Sequence, residues 1–104
     1  MTREQFLEDI KAACKRPKMY TPTGSFFEAV SLLEGIGAGA GIDEDKHTHL
    51  KFTRFRRWMA GRVDGSDRFP FSWVRFAEQF ETEQEAFVAL PSLYQEFIDD
   101  TRVN

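Results

Sequence analysis

Cysteine is nearly absent from this 104-residue chain: Cys14 is alone, so no disulfide can form within it. Cys14 stands four positions after Ile10 on one helical face, where it reads as a small buried apolar residue. Long apolar runs are missing too, and none approaches the roughly 18 residues that a bilayer demands, so no membrane span is expected. The opening "MTREQFLEDIKAACKR" is charged throughout and lacks the apolar centre of a secretory leader, which predicts a cytoplasmic protein. Histidine is sparse. His47 and His49 lie two apart, cannot share a helix face, and have no further histidine to complete a tetrahedron; "DEDKHTH" therefore reads as a polar loop and no metal is expected. "GIGAGAG" lacks the G-x-x-x-x-G-K-[ST] spacing, and no apolar strand leads into it, which excludes a phosphate-binding loop. Nucleophilic catalysis needs a nucleophile beside a base and an orienting group, and nothing marks Cys14 as a partner of the two histidines. The sequence predicts no enzyme and no cofactor.

What the chain does have is aromatic mass: eleven Phe, two Trp and two Tyr. Each buried ring removes on the order of 150–250 Å² from water, so a few rings can stabilise a chain of this size. Hydrophobic residues at 41% and charged residues at 30% are ordinary globular usage, and the length suits one domain spanning 1–104.

Apolar residues recur at three- and four-residue intervals in about five segments, which predicts an all-α compact bundle. Thr2 and Gln5 form a capping box ahead of Phe6, Leu7, Ile10, Ala13 and Cys14, and Pro17 ends that helix. Pro22 keeps Thr21 extended, and Ser25 with Glu28 forms a second box. Between the prolines, Met19 and Tyr20 are expected to fold back as a plug over the core, with an exposed partner anchor as the alternative. The second helix carries Phe26, Ala29, Val30 and Leu33 and is expected to end near Ile36, because glycines 35, 37, 39 and 41 oppose helix. The third, "HLKFTRFRRWMAGRV", sets Phe52, Phe55, Met59 and Val63 on one arc, with Gly65 as its terminator. The fourth, "SWVRFAEQF", follows Pro70 and starts from Ser72. The last starts from Thr82 and Glu85 and carries Phe87, Leu90, Leu93, Tyr94, Phe97 and Ile98. Pro91 lies inside it and is expected to kink or split it.

Charge is polarised along the chain. Residues 1–50 hold six basic and eight acidic side chains (net −2); 51–75 hold seven and two (+5); 76–104 hold one and seven (−6). This layout bears on partners rather than on fold.

"RPKMY" after a charged first helix, "FRRWMAGRV" in the middle, a tryptophan in "FSWVRF" and a final "EAFVALPSLYQEF" resemble a group of small bacterial proteins with R-P-x-M-Y and F-x-x-W-x-x-x-R motifs. Many of those proteins have no assigned activity, and in small size and acidic balance they are similar to immunity proteins, which neutralise a toxin by binding it. Arg16, Met19, Tyr20, Trp58 and Trp73 match the group's fixed points and read as core anchors. Two positions depart from its pattern: Pro91 interrupts a helix that is usually unbroken, and Lys18 stands where glycine is common.

The resemblance and the acidic final third together imply a protein partner, a basic toxin domain, met by Glu78, Glu81, Glu83, Glu85, Glu96, Asp99 and Asp100. The alternative is a nucleic-acid-binding helix that uses Lys51, Arg54, Arg57 and Arg62. A third reading is a self-associating structural protein.

Overall fold

Backbone amides at a helix start have no partner within the helix, so a preceding hydroxyl decides where several of these helices begin. The computed structural model describes residues 2–40, 51–62 and 72–101, apart from the side chains at 37–40, 51–53 and 62. Among the described residues there are six helices and no strand: α1 (Arg3–Lys15), α2 (Pro17–Tyr20), α3 (Phe26–Ala40), α4 (Lys51–Arg62), α5 (Trp73–Glu78) and α6 (Glu83–Asp100). The histidine loop, Gly41, Gly65, Pro70 and Val63 lie outside the described residues.

The Thr2 hydroxyl accepts from the Gln5 amide at 3.1 Å and the Gln5 side chain accepts from the Thr2 amide at 2.8 Å, so both arms of that capping box form. Ser25, Ser72 and Thr82 each accept from the amide three residues on. Among the described residues there are six helices, where the sequence predicts about five. The sixth is the single turn α2, because Pro17 both ends α1 and suits the first position of a new helix, where its missing N–H costs nothing.

Two other expectations are corrected. α3 runs on to Ala40 rather than ending near Ile36. Once a helix is nucleated, each further residue adds a backbone hydrogen bond, and glycine weakens that elongation without blocking it. α6 is one helix of 18 residues with Pro91 inside it, so of the two expected outcomes, a kink or a split, the split does not occur. Proline there costs roughly 3 kcal/mol. On either side of it, Phe87, Leu90, Tyr94, Phe97 and Ile98 are all buried. At roughly 1.5–3 kcal/mol for each large apolar side chain, their shared burial outweighs the proline.

α1 lies antiparallel on α6, the most extensive helix pair. Phe6 meets Tyr94 edge-on with ring centroids 5.5 Å apart, and Arg3 donates to Thr101 just past the end of α6 at 2.5 Å. Two aromatic nests fill the core, one towards each end of α6. In the first, the fully buried Phe26 touches Phe76 (5.6 Å, stacked), Phe87 (5.3 Å, edge-on) and Trp73 (5.9 Å, edge-on). In the second, Phe55 meets Tyr94 at 4.9 Å and Phe97 at 5.4 Å, with Trp58 stacked on its outer side. The radius of gyration, 13.1 Å, is that of a compact chain of this length.

Candidate interaction surfaces

The seven carboxylates of the C-terminal third are all exposed, but they do not form one patch. Glu78, Glu81, Glu83 and Glu85 gather at the α5–α6 corner; Glu96, Asp99 and Asp100 sit in the last turns of α6. At 1.5 Å of rise per residue, Glu85 and Asp99 are about 20 Å apart along the axis. The two groups also differ in their relation to the helix dipole. In the first, Glu83 and Glu85 stand in the first turn of α6, where negative charge is favourable, while Glu78 ends α5; the second stands at a C-terminus, where it is not, and α6 has no basic residue in its last turn.

Two of the seven tie α6 to another helix. The Glu83 carboxylate accepts from the Phe26 backbone amide at 2.6 Å, 57 residues away, and so ties the start of α6 to the start of α3. The Asp100 carboxylate accepts from the Trp58 indole at 2.8 Å, which joins the end of α6 to α4. Asp99 accepts from Gln95 at 3.1 Å within its own helix. Among the described residues, Glu78, Glu81 and Glu85 have no cation within ion-pair distance.

The basic helix is less available. Arg54 and Arg57 are exposed, yet each already has an interaction within the protein, and α4 packs on α6. The side chains of Lys51 and Arg62 lie outside the described residues. Sequence reasoning missed a further basic member of this helix. Arg56 pairs with Glu34 at 3.1 Å, and the same Glu34 oxygen accepts from the Trp73 indole at 3.3 Å. This half-buried bridge joins α3, α4 and α5. The one signal for it in the sequence is that a largely buried indole N–H requires an acceptor.

The expected plug does not form. Met19 is 67% exposed and Tyr20 50%, while Thr21 turns inwards between them and the core. The reason is local. The Thr21 hydroxyl donates to the Pro17 carbonyl and accepts from the Gly24 amide, both at 2.9 Å, which closes α2 around Thr21 and points its neighbours outwards. Gly24 has φ +76°, and a Cβ there would lie 2.6 Å from Cγ of Lys18, so the lysine stem folds over the glycine. Trp58 and Trp73, by contrast, are packed against the core as anchors.

Beside α2 an open groove of about 440 Å³ runs along α3, lined by Tyr20, Pro22, Phe27, Glu28 and Leu32. The Glu28 carboxylate turns to the Thr23 amide and hydroxyl, and these hydrogen bonds hold its pKa below the usual carboxylate value. Lys15, Arg16 and Lys18 stand exposed at the α1–α2 junction next to this groove, and among the described residues none is ion-paired. The nearest polar partner of Arg16 is the Met19 sulfur, at 3.9 Å.

Burial pushes the Cys14 thiol up to about 12, so it stays protonated and unreactive at neutral pH. No described helix is long and apolar enough to cross a membrane, and among the described residues no group of three His, Cys, Asp or Glu side chains is arranged to hold a metal ion. No family model, curated protein or solved structure matches this chain.

Proposed function

We propose that this chain is a non-catalytic binding protein that neutralises a basic bacterial toxin domain by stoichiometric contact. The observation that carries this reading is the α5–α6 corner. There Glu78, Glu81 and Glu85 are exposed and, among the described residues, unpaired, on α5, α6 and the turn between them, which Phe76 and Phe87 fix to the core. A rigid cluster of one sign speeds encounter with a partner of the other and disfavours wrong partners. Glu83, Glu96, Asp99 and Asp100 are engaged within the fold, so the contact is assigned to the three carboxylates that have no partner among the described residues. The resemblance of "RPKMY" and "FRRWMAGRV" to motifs of small acidic bacterial proteins, similar in size and charge to immunity proteins, agrees with this reading.

The test is co-expression with the toxic C-terminal domain of a long reading frame next to this gene. Wild-type protein should restore growth and form an equimolar complex. The triple reversal Glu78→Lys, Glu81→Lys, Glu85→Lys should fold normally and lose at least about tenfold in affinity, with most of the loss in the association rate. Unchanged affinity in that variant removes the acidic corner from the contact.

A further inference from the structure

We propose that the end of the molecule formed by α2, the start of α3 and the α5–α6 corner is a self-complementary face that pairs with a second copy of this chain about a two-fold axis. The antiparallel arrangement of α1 and α6 brings both signs of charge to this end. Arg3 meets Thr101 and Phe6 meets Tyr94, and continuing that register carries the end of α1 level with the first turns of α6. Lys15, Arg16 and Lys18 therefore share an end with Glu81 and Glu85, and no ion pair joins the two sets among the described residues.

Apolar surface lies between the two charged edges. Phe27 is 44% exposed, adjoins the residue whose amide Glu83 holds, and lines the groove with Tyr20. Three large apolar side chains left in water on one end, Met19, Tyr20 and Phe27, are the kind of patch that marks a contact surface. An isologous interface requires that when one residue meets another across the axis, the reverse contact is made as well. A face with a cationic edge, an apolar middle and an anionic edge meets that requirement. A rotation of half a turn about Phe27 sets the Lys15, Arg16 and Lys18 edge of one copy against the Glu81 and Glu85 edge of the other, twice. A second copy is chosen as occupant because the complementary charge is present in the same chain and at the same end. This inference does not rest on the toxin reading and is tested with the purified chain alone; because both contacts use Glu81 and Glu85, a toxin domain and a second copy would exclude one another.

Sedimentation equilibrium at low ionic strength, up to about 1 mM protein, should give twice the 12.1 kDa chain mass. Raising the salt from about 0.05 to 0.5 M should weaken the association several-fold, since exposed pairs are screened. Reversing Lys15, Arg16 and Lys18 to Glu should weaken it at least about tenfold, as should reversing Glu78, Glu81 and Glu85 to Lys. Each reversed variant alone should sediment as a monomer, and an equimolar mixture of the two should recover a 1:1 dimer. That recovery also shows that both variants are folded. Tyr20→Asp, at an exposed position, should abolish the dimer without touching either charged edge. A wild-type chain that stays monomeric throughout overturns the proposal, as does a mixture that fails to pair or an association indifferent to Tyr20→Asp.

Discussion

Removing the Glu83 carboxylate should cost more than its exposure suggests. Glu83 looks like one of several glutamates at a helix start, where negative charge contributes about 0.3–1 kcal/mol through the dipole. Its Oε1 also accepts from the Phe26 amide at 2.6 Å, the contact that fixes where α3 begins and hence where the ring of Phe26 enters the first aromatic nest. A hydrogen bond to a charged group contributes about 1.5–3 kcal/mol. Because the Glu83 side chain is exposed, the lower part of that range applies. Adding a few tenths for the dipole, Glu83→Ala should lose about 1.5–2.5 kcal/mol. For a domain of this size that lowers the melting temperature by roughly 7–12 °C. Glu83→Gln keeps an acceptor without the charge and should lose about half as much. Urea unfolding followed by far-ultraviolet circular dichroism measures both, with Glu81→Ala as the control, since Glu81 is exposed and has no partner among the described residues. If Glu83→Ala and Glu81→Ala fall within about 0.5 kcal/mol of each other, the cross-link between α6 and α3 contributes nothing and the reasoning fails.

Three further substitutions probe the backbone and the core. Gly35 is helical and exposed, with nothing within 4 Å of where a Cβ would sit, so Gly35→Ala should raise stability by about 0.5–1 kcal/mol in the same urea titration. Gly24→Ala forces a left-handed φ on alanine and displaces the Lys18 stem, and should cost about 1–2 kcal/mol; a neutral result would mean that the turn relaxes freely. Cys14 keeps its proton in the fold to about pH 12, whereas the unfolded thiol ionises from about 8.5. Its contribution is therefore complete below about pH 8.5 and declines as pH rises towards 12, by about 1.4 kcal/mol per unit. Cys14→Ala should flatten that part of the stability profile relative to wild type, and parallel profiles would contradict the assignment.

The features legible in the sequence are those set by neighbours three or four residues away. Thr2 with Gln5, and Ser72 or Thr82 with the amide three positions on, announce helix starts because the capping geometry lies wholly within one turn. The buried stripe of α1, from Phe6 to Cys14, follows from spacing in the same way. The illegible features depend on distant partners or on small differences between competing costs. Nothing near Glu83 or Asp100 distinguishes them from Glu81 or Asp99, because their partners Phe26 and Trp58 are 57 and 42 residues away. Met19 and Tyr20 were expected inside because their apolarity was visible, whereas the two hydrogen bonds that turn Thr21 inwards were not. In α6, proline opposes a continuous helix, and only the burial of Phe87, Leu90, Tyr94, Phe97 and Ile98 together decides the outcome. In the acidic third, composition showed the sign of the charge but not its division into two groups at opposite ends of one helix.

The two indoles give the protein a pair of built-in optical reporters. The Trp58 N–H is held by Asp100 across the α4–α6 seam, and the Trp73 N–H by Glu34 across the α3–α5 seam, so each chromophore senses a different joint. Replacing either one with phenylalanine leaves a single indole emitter, whose red shift on denaturation reports the opening of one seam alone. Emission midpoints that coincide would mean that both seams part in one concerted event; midpoints that separate would identify which joint loosens first.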